Sequence, residues 1–302
     1  MQEISYRADN NVGHIKFPIH NGAMDLSHCR QLLQTIELAK ADDACKVIIL
    51  WGGPDFFSNG IDLNVVHLQY NASILAYKNL KALNKIVHAV LTTETKLVIS
   101  ALQGSASAGG VMLAIAADLR YARQNIVLNP SYANLGLCGS EYWSVLLPAI
   151  IGYGFTQKLL YEASPLSATE ALSLGLIHQL IDSEPDAFKN NITAKAEYLA
   201  ATNINARLAA KSVLNHQILA QMEAQVKLEL EKMKDCCNHP EFESARTRFV
   251  EKNGQQQPLF LSAGSSNIRQ ENKRDGAQQD GDQQNNKQRD DHEPDNEPDD
   301  NT

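Results

Sequence analysis

The last part of this 302-residue sequence has almost no apolar side chains. After Ala263, the only residues of the hydrophobic set Ala, Val, Ile, Leu, Met, Phe, Trp, Tyr and Cys are Ile268 and Ala277. A segment with so few apolar groups cannot offset its ordering entropy by burial. We therefore predict a folded domain over residues 1–253 and a disordered, acidic, Gln/Asn/Asp-rich tail over 254–302.

An excess of basic charge is also missing. The whole chain has a net charge of −8, and the segment from Gly264 onward holds 11 acidic and 5 basic residues, so it carries −6. The preceding residues therefore carry only −2, which leaves no electrostatic footprint for a nucleic-acid partner. We expect the acidic tail to be a solubilising appendage.

Cysteines are few, odd in number and without a C-x-x-C pair, which argues against a disulfide framework and favours a reducing compartment. The five are Cys29, Cys45, Cys138, Cys236 and Cys237. The last two are adjacent and therefore poorly placed to bind zinc together with His239. We expect no metal.

No long hydrophobic run occurs in the sequence. The longest apolar stretch, near Val111–Ala117, is far shorter than the roughly 20 residues that a membrane helix needs. The start, Met1–Glu3, has neither the basic nor the apolar region of a secretory signal. We expect a cytoplasmic protein with no membrane partner.

The residues that are present predict an α/β fold. Short apolar runs at Lys46–Trp51 and Lys96–Ala101 are typical of buried strands, and helical periodicity separates them. Strands alternate with helices early, and only helices follow late, which predicts β-β-α units before a helical part at about 187–253.

Two helix starts carry capping signals. Ser27 is the expected N-cap of a helix that runs to Ala41. Ser167 and Glu170 have the spacing of a capping box before a helix that Gly175 ends.

Two turns rich in small residues follow predicted strands, at Phe57–Leu63 and Gly104–Gly110. Small residues let a backbone approach a ligand closely, and a helix start presents unpaired N–H groups. Two such turns facing each other would donate two hydrogen bonds to one carbonyl oxygen. Taken singly, each remains explicable as a tight turn.

Together the turns, F-S-x-G-x-D-L and G-x-A-x-[GA]-G-G, resemble the signature pair of the enoyl-CoA hydratase/isomerase (crotonase) family. The segment Ala168–Ile177 is also similar to that family, and the resemblance covers roughly residues 5–250. It implies a spiral of β-β-α units, a coenzyme A thioester as ligand and a homotrimer.

The same resemblance implies roles for residues of the two turns. The N–H groups of Ile61 and Gly109 correspond to the oxyanion hole. The neighbouring residues implied in substrate binding are Asn59, Gly60, Asp62 and Gly110. From local sequence, the Asp62 carboxylate is expected to bond nearby N–H groups, and Asn59 is expected to narrow the acyl pocket or to hydrogen-bond substrate.

The sequence departs from a hydratase at the two positions where that enzyme type carries glutamates. Met112 and Tyr132 occupy them here. A methionine cannot transfer protons, so simple hydration is not the expected reaction.

A closer resemblance is to the crotonase-like domain of the HypX (HoxX) hydrogenase-maturation family, through the motifs around Gly60, Gly109, Tyr132 and Glu141. It implies conversion of formyl-CoA to carbon monoxide and coenzyme A, with Glu141 as base and Tyr132 orienting or returning the proton. Local sequence alone allows two ordinary interpretations, a helix-start glutamate and a half-buried aromatic at a strand end.

Other functions remain open at this point. One is a hydratase/isomerase-type reaction on a larger acyl-CoA, and another is a non-catalytic CoA-binding or assembly protein. Because no part of the sequence resembles that family's formyl-transfer domain, formyl-CoA is expected from a separate formyl-transfer protein.

Two groups of basic side chains have an open role. The first lies on one predicted helical face, at Lys78, Lys81 and Lys85. The second lies in the C-terminal segment, at Arg246 and Arg248. Contacts with CoA phosphates are one interpretation. For the lysines, a solvated face is the preferred one.

Overall fold

The computed structural model describes residues 3–130, 132–181 and 184–254. The strands are β1 Ser5–Asp9, β2 Val12–Lys16, β3 Ala23–Met24, β4 Val47–Trp51, β5 Phe56–Ser58, β6 Gly60–Ile61, β7 Leu97–Leu102, β8 Ser105–Ser107, β9 Leu119–Arg123, β10 Val127–Asn129, β11 Leu166–Ser167 and β12 Gln179–Ile181. The helices are α1 Leu26–Ala41, α2 Leu63–His67, α3 Ala72–Leu91, α4 Gly109–Ile115, α5 Trp143–Glu162, α6 Ala168–Ser173, α7 Pro185–Ala201, α8 Ile204–Cys237 and α9 Pro240–Gly254. The predicted tail lies outside the described residues, except that α9 takes in Gly254.

The larger sheet has the strand order β1-β2-β4-β7-β9-β12, parallel apart from the β1–β2 hairpin. Every residue of its central strands β4 and β7 is buried, because apolar side chains pack on both faces. One face carries the main core, and α7 covers the other with Phe188, Ile192 and Ala196. The predicted α/β fold is confirmed.

The smaller sheet, of order β11-β10-β8-β5, positions the two turns. Strands β5, β8 and β10 run parallel, so their carboxyl ends meet at one edge. Asn59 follows the first, Ala108 the second and Pro130 the third. Ligand sites of open parallel sheets lie at this kind of edge.

The helical C-terminal part consists of α7, α8 and α9, and it begins two residues before the predicted start at 187. Among the described residues, no helix is long and apolar enough to cross a membrane.

One capping prediction is confirmed and the other is wrong. Ser167 and Glu170 form the predicted capping box at α6. Ser27 does not cap α1, because the helix already begins at Leu26 and the Asp25 carboxylate accepts the His28 N–H at 2.8 Å. A charged acceptor one position before the helix satisfies that N–H directly.

Candidate active site

The two glycine-rich turns lie against each other. Gly60 has φ +75°, and a side-chain carbon built on it would lie 3.3 Å from the Gly109 nitrogen. A side chain on Gly110 would collide with the backbone carbonyl of Ser58. Glycine is therefore needed at both positions, one for its backbone conformation and contact and the other for contact alone. The backbones of Gly60 and Gly109 meet as the sequence predicts.

Asn59 joins the two turns through its side-chain amide. Its Nδ2 donates to the Asn21 carbonyl at 2.6 Å, and its Oδ1 accepts from the Ser107 hydroxyl at 2.8 Å. Both ends of the amide thus bond to protein, which fixes the spacing between the turn after β5 and the turn after β8. Its contact with substrate remains a prediction.

The first turn continues into β6 and α2. Ile61 is half-buried and pairs with Met24 of β3. Asp62 caps α2, because its carboxylate accepts the N–H groups of Asn64 at 2.9 Å and Val65 at 3.2 Å. This is the local role expected from the sequence, and its contact with substrate stays a prediction.

Tyr132 and Glu141 meet in the interior. The Tyr132 hydroxyl donates to Glu141 Oε2 at 3.0 Å, and the two residues are 3% and 0% exposed. Gly139 has φ +89° and packs against the Tyr132 ring, where any side chain would collide. Tyr132 is therefore more buried than the strand-end interpretation allowed, and the site brings it to the carboxyl that the sequence paired it with.

The other carboxyl oxygen of Glu141 points to the second turn. A side-chain carbon built on Gly109 would lie 3.0 Å from Oε1 and 2.8 Å from Cδ. Among the described residues, Oε1 has no partner of regular hydrogen-bond geometry, and the nearby Ser140 hydroxyl has none either. A buried carboxylate oxygen beside Gly109, without a regular partner among the described residues, is the clearest chemical feature of the site.

Burial dominates the electrostatics of this pair. It raises the pKa of Glu141 to about 7, although the neighbouring Ser140 and Tyr132 hydroxyls favour the charged form and lower it. Burial also raises the pKa of Tyr132 well above its usual value, and the Glu141 charge adds to the shift. At neutral pH the phenol keeps its proton and the carboxyl is poised to exchange one.

The backbone that carries Glu141 is unusual. Glu141 and Tyr142 both have left-handed backbone conformations, with φ of 64° and 63°. The helix α5 begins only at Trp143, and the Glu141 side chain lies between Tyr132 and Gly109. The local interpretation of Glu141 as a helix-start residue is therefore wrong.

Two polar residues that the sequence analysis missed hold this segment. Asn84 of α3 accepts the Glu141 N–H at 2.9 Å. Glu229 of α8 accepts the N–H groups of Tyr142 at 3.0 Å and Ser144 at 2.9 Å. The available signal for Glu229 was its position on the stripe of α8 that also carries Met222 and Met233, both buried.

Met112 is fully buried in α4 within the main core. No proton-transferring group occupies that position. Among the described residues, no group of three or more His, Cys, Asp or Glu side chains is arranged to bind a metal ion.

The predicted cations divide into two kinds. Lys78, Lys81 and Lys85 line a cleft of about 340 Å³ between α1 and α3, together with Arg30. Arg246 is buried, lies over the Phe242 ring at 5.2 Å and is thereby withdrawn from solvent. Arg248 is exposed.

Comparisons with known proteins identify the family of this chain. Residues 7–258 match the family model described as enoyl-CoA hydratase/isomerase. The hydrogenase maturation factor HoxX of Bradyrhizobium diazoefficiens is 35% identical over 209 residues, which cover 69% of this chain and 37% of that protein. The crystal structure of Aquifex aeolicus HypX in complex with tetrahydrofolic acid has a TM-score of 0.79 and 32% identity, covering 86% of this chain and 46% of that one.

The chain thus spans less than half the length of these two relatives. An enoyl-CoA hydratase structure from Bacillus halodurans matches over nearly its full length, with 99% covered, a TM-score of 0.74 and 22% identity, and so shares the fold. The family match and the two converging turns lead to one conclusion: the chain belongs to the enoyl-CoA hydratase/isomerase (crotonase) family.

Proposed function

We propose that this chain is a crotonase-family lyase that converts formyl-CoA into carbon monoxide and coenzyme A. The observation that carries the proposal is the buried Glu141 carboxyl. One of its oxygens accepts from Tyr132, and the other lies beside Gly109 without a regular partner among the described residues. A thioester carbonyl held at Gly109 would present its carbon substituent to that free oxygen.

The proposed oxyanion hole consists of the N–H groups of Ile61 and Gly109. They would hydrogen-bond the formyl oxygen and stabilise the negative charge that develops on it. Removal of one such donor typically costs about 3–4 kcal/mol of transition-state stabilisation. The contact between the Gly60 and Gly109 backbones supports this assignment, because it brings the two turns within reach of one oxygen atom.

The reaction then needs one base and no external oxidant or reductant. Glu141 removes the formyl hydrogen as a proton, and the electron pair of the broken C–H bond remains on carbon. The C–S bond breaks, its electron pair leaves with sulfur, and carbon monoxide is released. Protonated Glu141 returns the proton to the thiolate, with Tyr132 orienting the carboxyl through their hydrogen bond. A base with a pKa of about 7 suits both transfers.

Tight packing around Gly109 favours a small acyl group. Glu141 Cδ lies so close to Gly109 that a single added methyl group on Gly109 would meet it at 2.8 Å. Leu83, at 2.6 Å from the same position, closes another side. An acyl group lying between Gly109 and these side chains would have to be small, as a formyl group is.

The cleft between α1 and α3 supports binding of the nucleotide end of coenzyme A. Its four exposed cations, Arg30, Lys78, Lys81 and Lys85, face a common space, and coenzyme A carries several phosphate charges. Cys29 lines the same cleft. Burial raises the pKa of its thiol and the Glu141 charge adds to the shift, so the cleft approaches the reacting end. This convergence favours phosphate contacts over a merely solvated face.

Hydration of a larger acyl-CoA fits the site less well. That reaction places two acid–base groups on a water molecule, and Met112 cannot supply one of them. A purely non-catalytic role leaves unexplained why one oxygen of this buried carboxyl has no regular partner among the described residues beside the proposed oxyanion hole, at a cost in stability.

Two relatives support the one-carbon assignment. One is named hydrogenase maturation factor HoxX, and the other is HypX, described in complex with tetrahydrofolic acid. We propose that formyl-CoA reaches this domain from a formyl-transfer reaction carried out outside the described residues. The same proposal includes a trimeric assembly, a cytoplasmic location and a role in hydrogenase maturation.

The test is incubation of the purified protein with formyl-CoA, with carbon monoxide followed by a haem probe and formate measured in parallel. We expect carbon monoxide and coenzyme A in equal amounts, and we expect Glu141→Gln to abolish gas release. Glu223→Gln, at an exposed position of α8, is the matched control and should retain full activity.

Three outcomes would reject the lyase. The first is coenzyme A release with formate and no gas, which indicates hydrolysis. The second is crotonyl-CoA hydration at a normal rate without gas from formyl-CoA. The third is binding of acyl-CoA compounds without any turnover.

A further inference from the structure

Glu229 of α8 reaches the active-site segment from a distant part of the sequence. Its side chain is 5% exposed, and its two oxygens accept from the Tyr142 N–H at 3.0 Å, the Ser144 N–H at 2.9 Å and the Ser144 hydroxyl at 2.6 Å. Burial raises the Glu229 pKa, and the three donors on this carboxyl oppose the shift because they favour its charged form.

These donors are the first backbone groups of α5. The residue before the helix, Tyr142, makes no side-chain cap, so Glu229 satisfies the free N–H groups from another helix. An anion at a helix start is also favoured by the helix dipole. The contact therefore fixes where α5 begins and how the chain enters it.

The chain enters α5 through the two left-handed residues Glu141 and Tyr142. Such conformations in non-glycine residues persist only where the surroundings enforce them. Here the Glu141 N–H is held by Asn84 of α3, and the Tyr142 N–H is held by Glu229. Without the second contact, the segment can relax and the Glu141 carboxyl can leave its place beside Gly109.

We propose that Glu229 is a positioning residue, whose carboxylate holds the backbone of Tyr142 and Ser144 so that the Glu141 side chain lies between Tyr132 and Gly109. This inference rests on the proposed function for its catalytic meaning. It adds a residue that touches neither the proposed substrate nor the Glu141 side chain.

Glu229 also acts through its charge. As a like charge near Glu141, it raises the pKa of that carboxyl. Other titratable groups also lie around Glu141. They are Tyr132 in the loop after β10, Cys138 and Tyr142 on the segment before α5, Cys29 on α1 and the exposed His88 on α3. The His88 ring lies 6.1 Å from that of Tyr142. The pKa values of both thiols and both phenols are raised, so these four groups are neutral near pH 7.

The experiment compares Glu229→Gln and Glu229→Ala with wild type and with the exposed-site control Glu223→Gln. Gln keeps acceptor capacity for part of the network, and Ala keeps none. We expect kcat for carbon monoxide release to fall about tenfold in Glu229→Gln and further in Glu229→Ala, with KM changed much less. We also expect the midpoint of the pH–rate profile to move to lower pH in Glu229→Gln, because the like charge is gone.

A second measurement does not depend on turnover. The carboxyl of Glu141 is titrated by ¹³C NMR in wild type and Glu229→Gln, with Glu141→Gln to assign the signal. A lower midpoint in Glu229→Gln supports the positioning role even if no formyl-CoA activity exists, so the two proposals can fail separately.

An unchanged Glu141 titration, or unchanged kcat in both folded Glu229 variants, would overturn the inference. Where the Glu229 variants do not fold, Ser144→Ala removes one donor from the same network. It should give a smaller loss of kcat, and full kcat in that variant would count against the inference.

Discussion

The hydroxyl of Tyr132 donates a hydrogen bond of 3.0 Å to Glu141 Oε2, and this bond joins the loop after β10 to the segment before α5. Because one carboxyl oxygen is held there, the other lies beside Gly109 without a regular partner in the part of the chain that the structure describes. The hydrogen bond thereby orients the carboxyl. It also stabilises the charged form, which opposes the effect of burial on the Glu141 pKa.

The first prediction concerns the pH dependence of carbon monoxide release. The base must be ionised, so the rate should fall as the pH drops below about 7, the pKa of Glu141. Tyr132→Phe removes a hydrogen bond that lowers this pKa, so the midpoint should move upward, opposite to Glu229→Gln.

Full pH–rate profiles from pH 5 to 9 check both directions. If Tyr132 only orients and tunes Glu141, the rate of Tyr132→Phe recovers at high pH. If the phenol also returns the proton, the rate stays low throughout. A midpoint that does not move in Tyr132→Phe contradicts the assigned pair.

The second prediction concerns stability. The folded-state pKa of Glu141 is raised from 4.5 to about 7, so wild type should lose stability as the pH rises through this interval. The loss is about 3 kcal/mol at most, from roughly 1.4 kcal/mol per pKa unit. Glu141→Gln lacks this titration.

Chemical denaturation at several pH values measures the effect. The stability difference, Glu141→Gln minus wild type, should grow between pH 4.5 and 7 and then level off. Buried groups that are common to both proteins and do not interact with Glu141, such as Asp118, cancel in the difference. A difference that is constant with pH would show that Glu141 is not perturbed by burial.

The third prediction concerns the contact between Gly109 and Glu141. In Gly109→Ala the new methyl group would lie 2.6 Å from Leu83 Cδ2 and 2.8 Å from Glu141 Cδ, so both side chains must shift. A displacement of about 1 Å at a reacting group can lower a rate by roughly 100-fold.

Gly154→Ala is the matched control, because no atom of the described residues lies within 4 Å of a side-chain carbon there. That residue is in α5, where alanine is the better helix former. We expect kcat to fall strongly in Gly109→Ala and to stay at the wild-type value in Gly154→Ala. Wild-type kcat in Gly109→Ala would place the reacting group elsewhere.

The fourth prediction concerns the cleft between α1 and α3. The double variant Arg30→Ala/Lys81→Ala should raise KM for formyl-CoA several-fold at low ionic strength with little change in kcat, because phosphate contacts serve binding alone. Added salt should reduce the difference, since exposed charges are screened. Lys232→Ala, at an exposed site on α8, is the control. An equal KM in the double variant and in this control would assign the lysines to a solvated face.

The sequence was sufficient for features that depend on neighbouring residues or on a shared motif. The capping box of Ser167 and Glu170 was predicted because its partners are three residues apart. The buried strands β4 and β7 were predicted because continuous apolar runs are typical of strands covered on both faces. A local prediction was wrong where two nearby residues were both suitable caps, since Asp25 and not Ser27 caps α1.

By itself, the sequence determined the α/β class and the two glycine turns, and its resemblance to a known family singled out Tyr132 and Glu141 as candidate catalytic residues. Only the tertiary structure decided that one Glu141 oxygen is held by Tyr132 while the other lies beside Gly109, and that Asn84 and Glu229 hold the strained segment between them. The reason is physical: these contacts join helices 57 and 87 residues away from the segment, and packing of the complete core, which no local pattern encodes, brings them together.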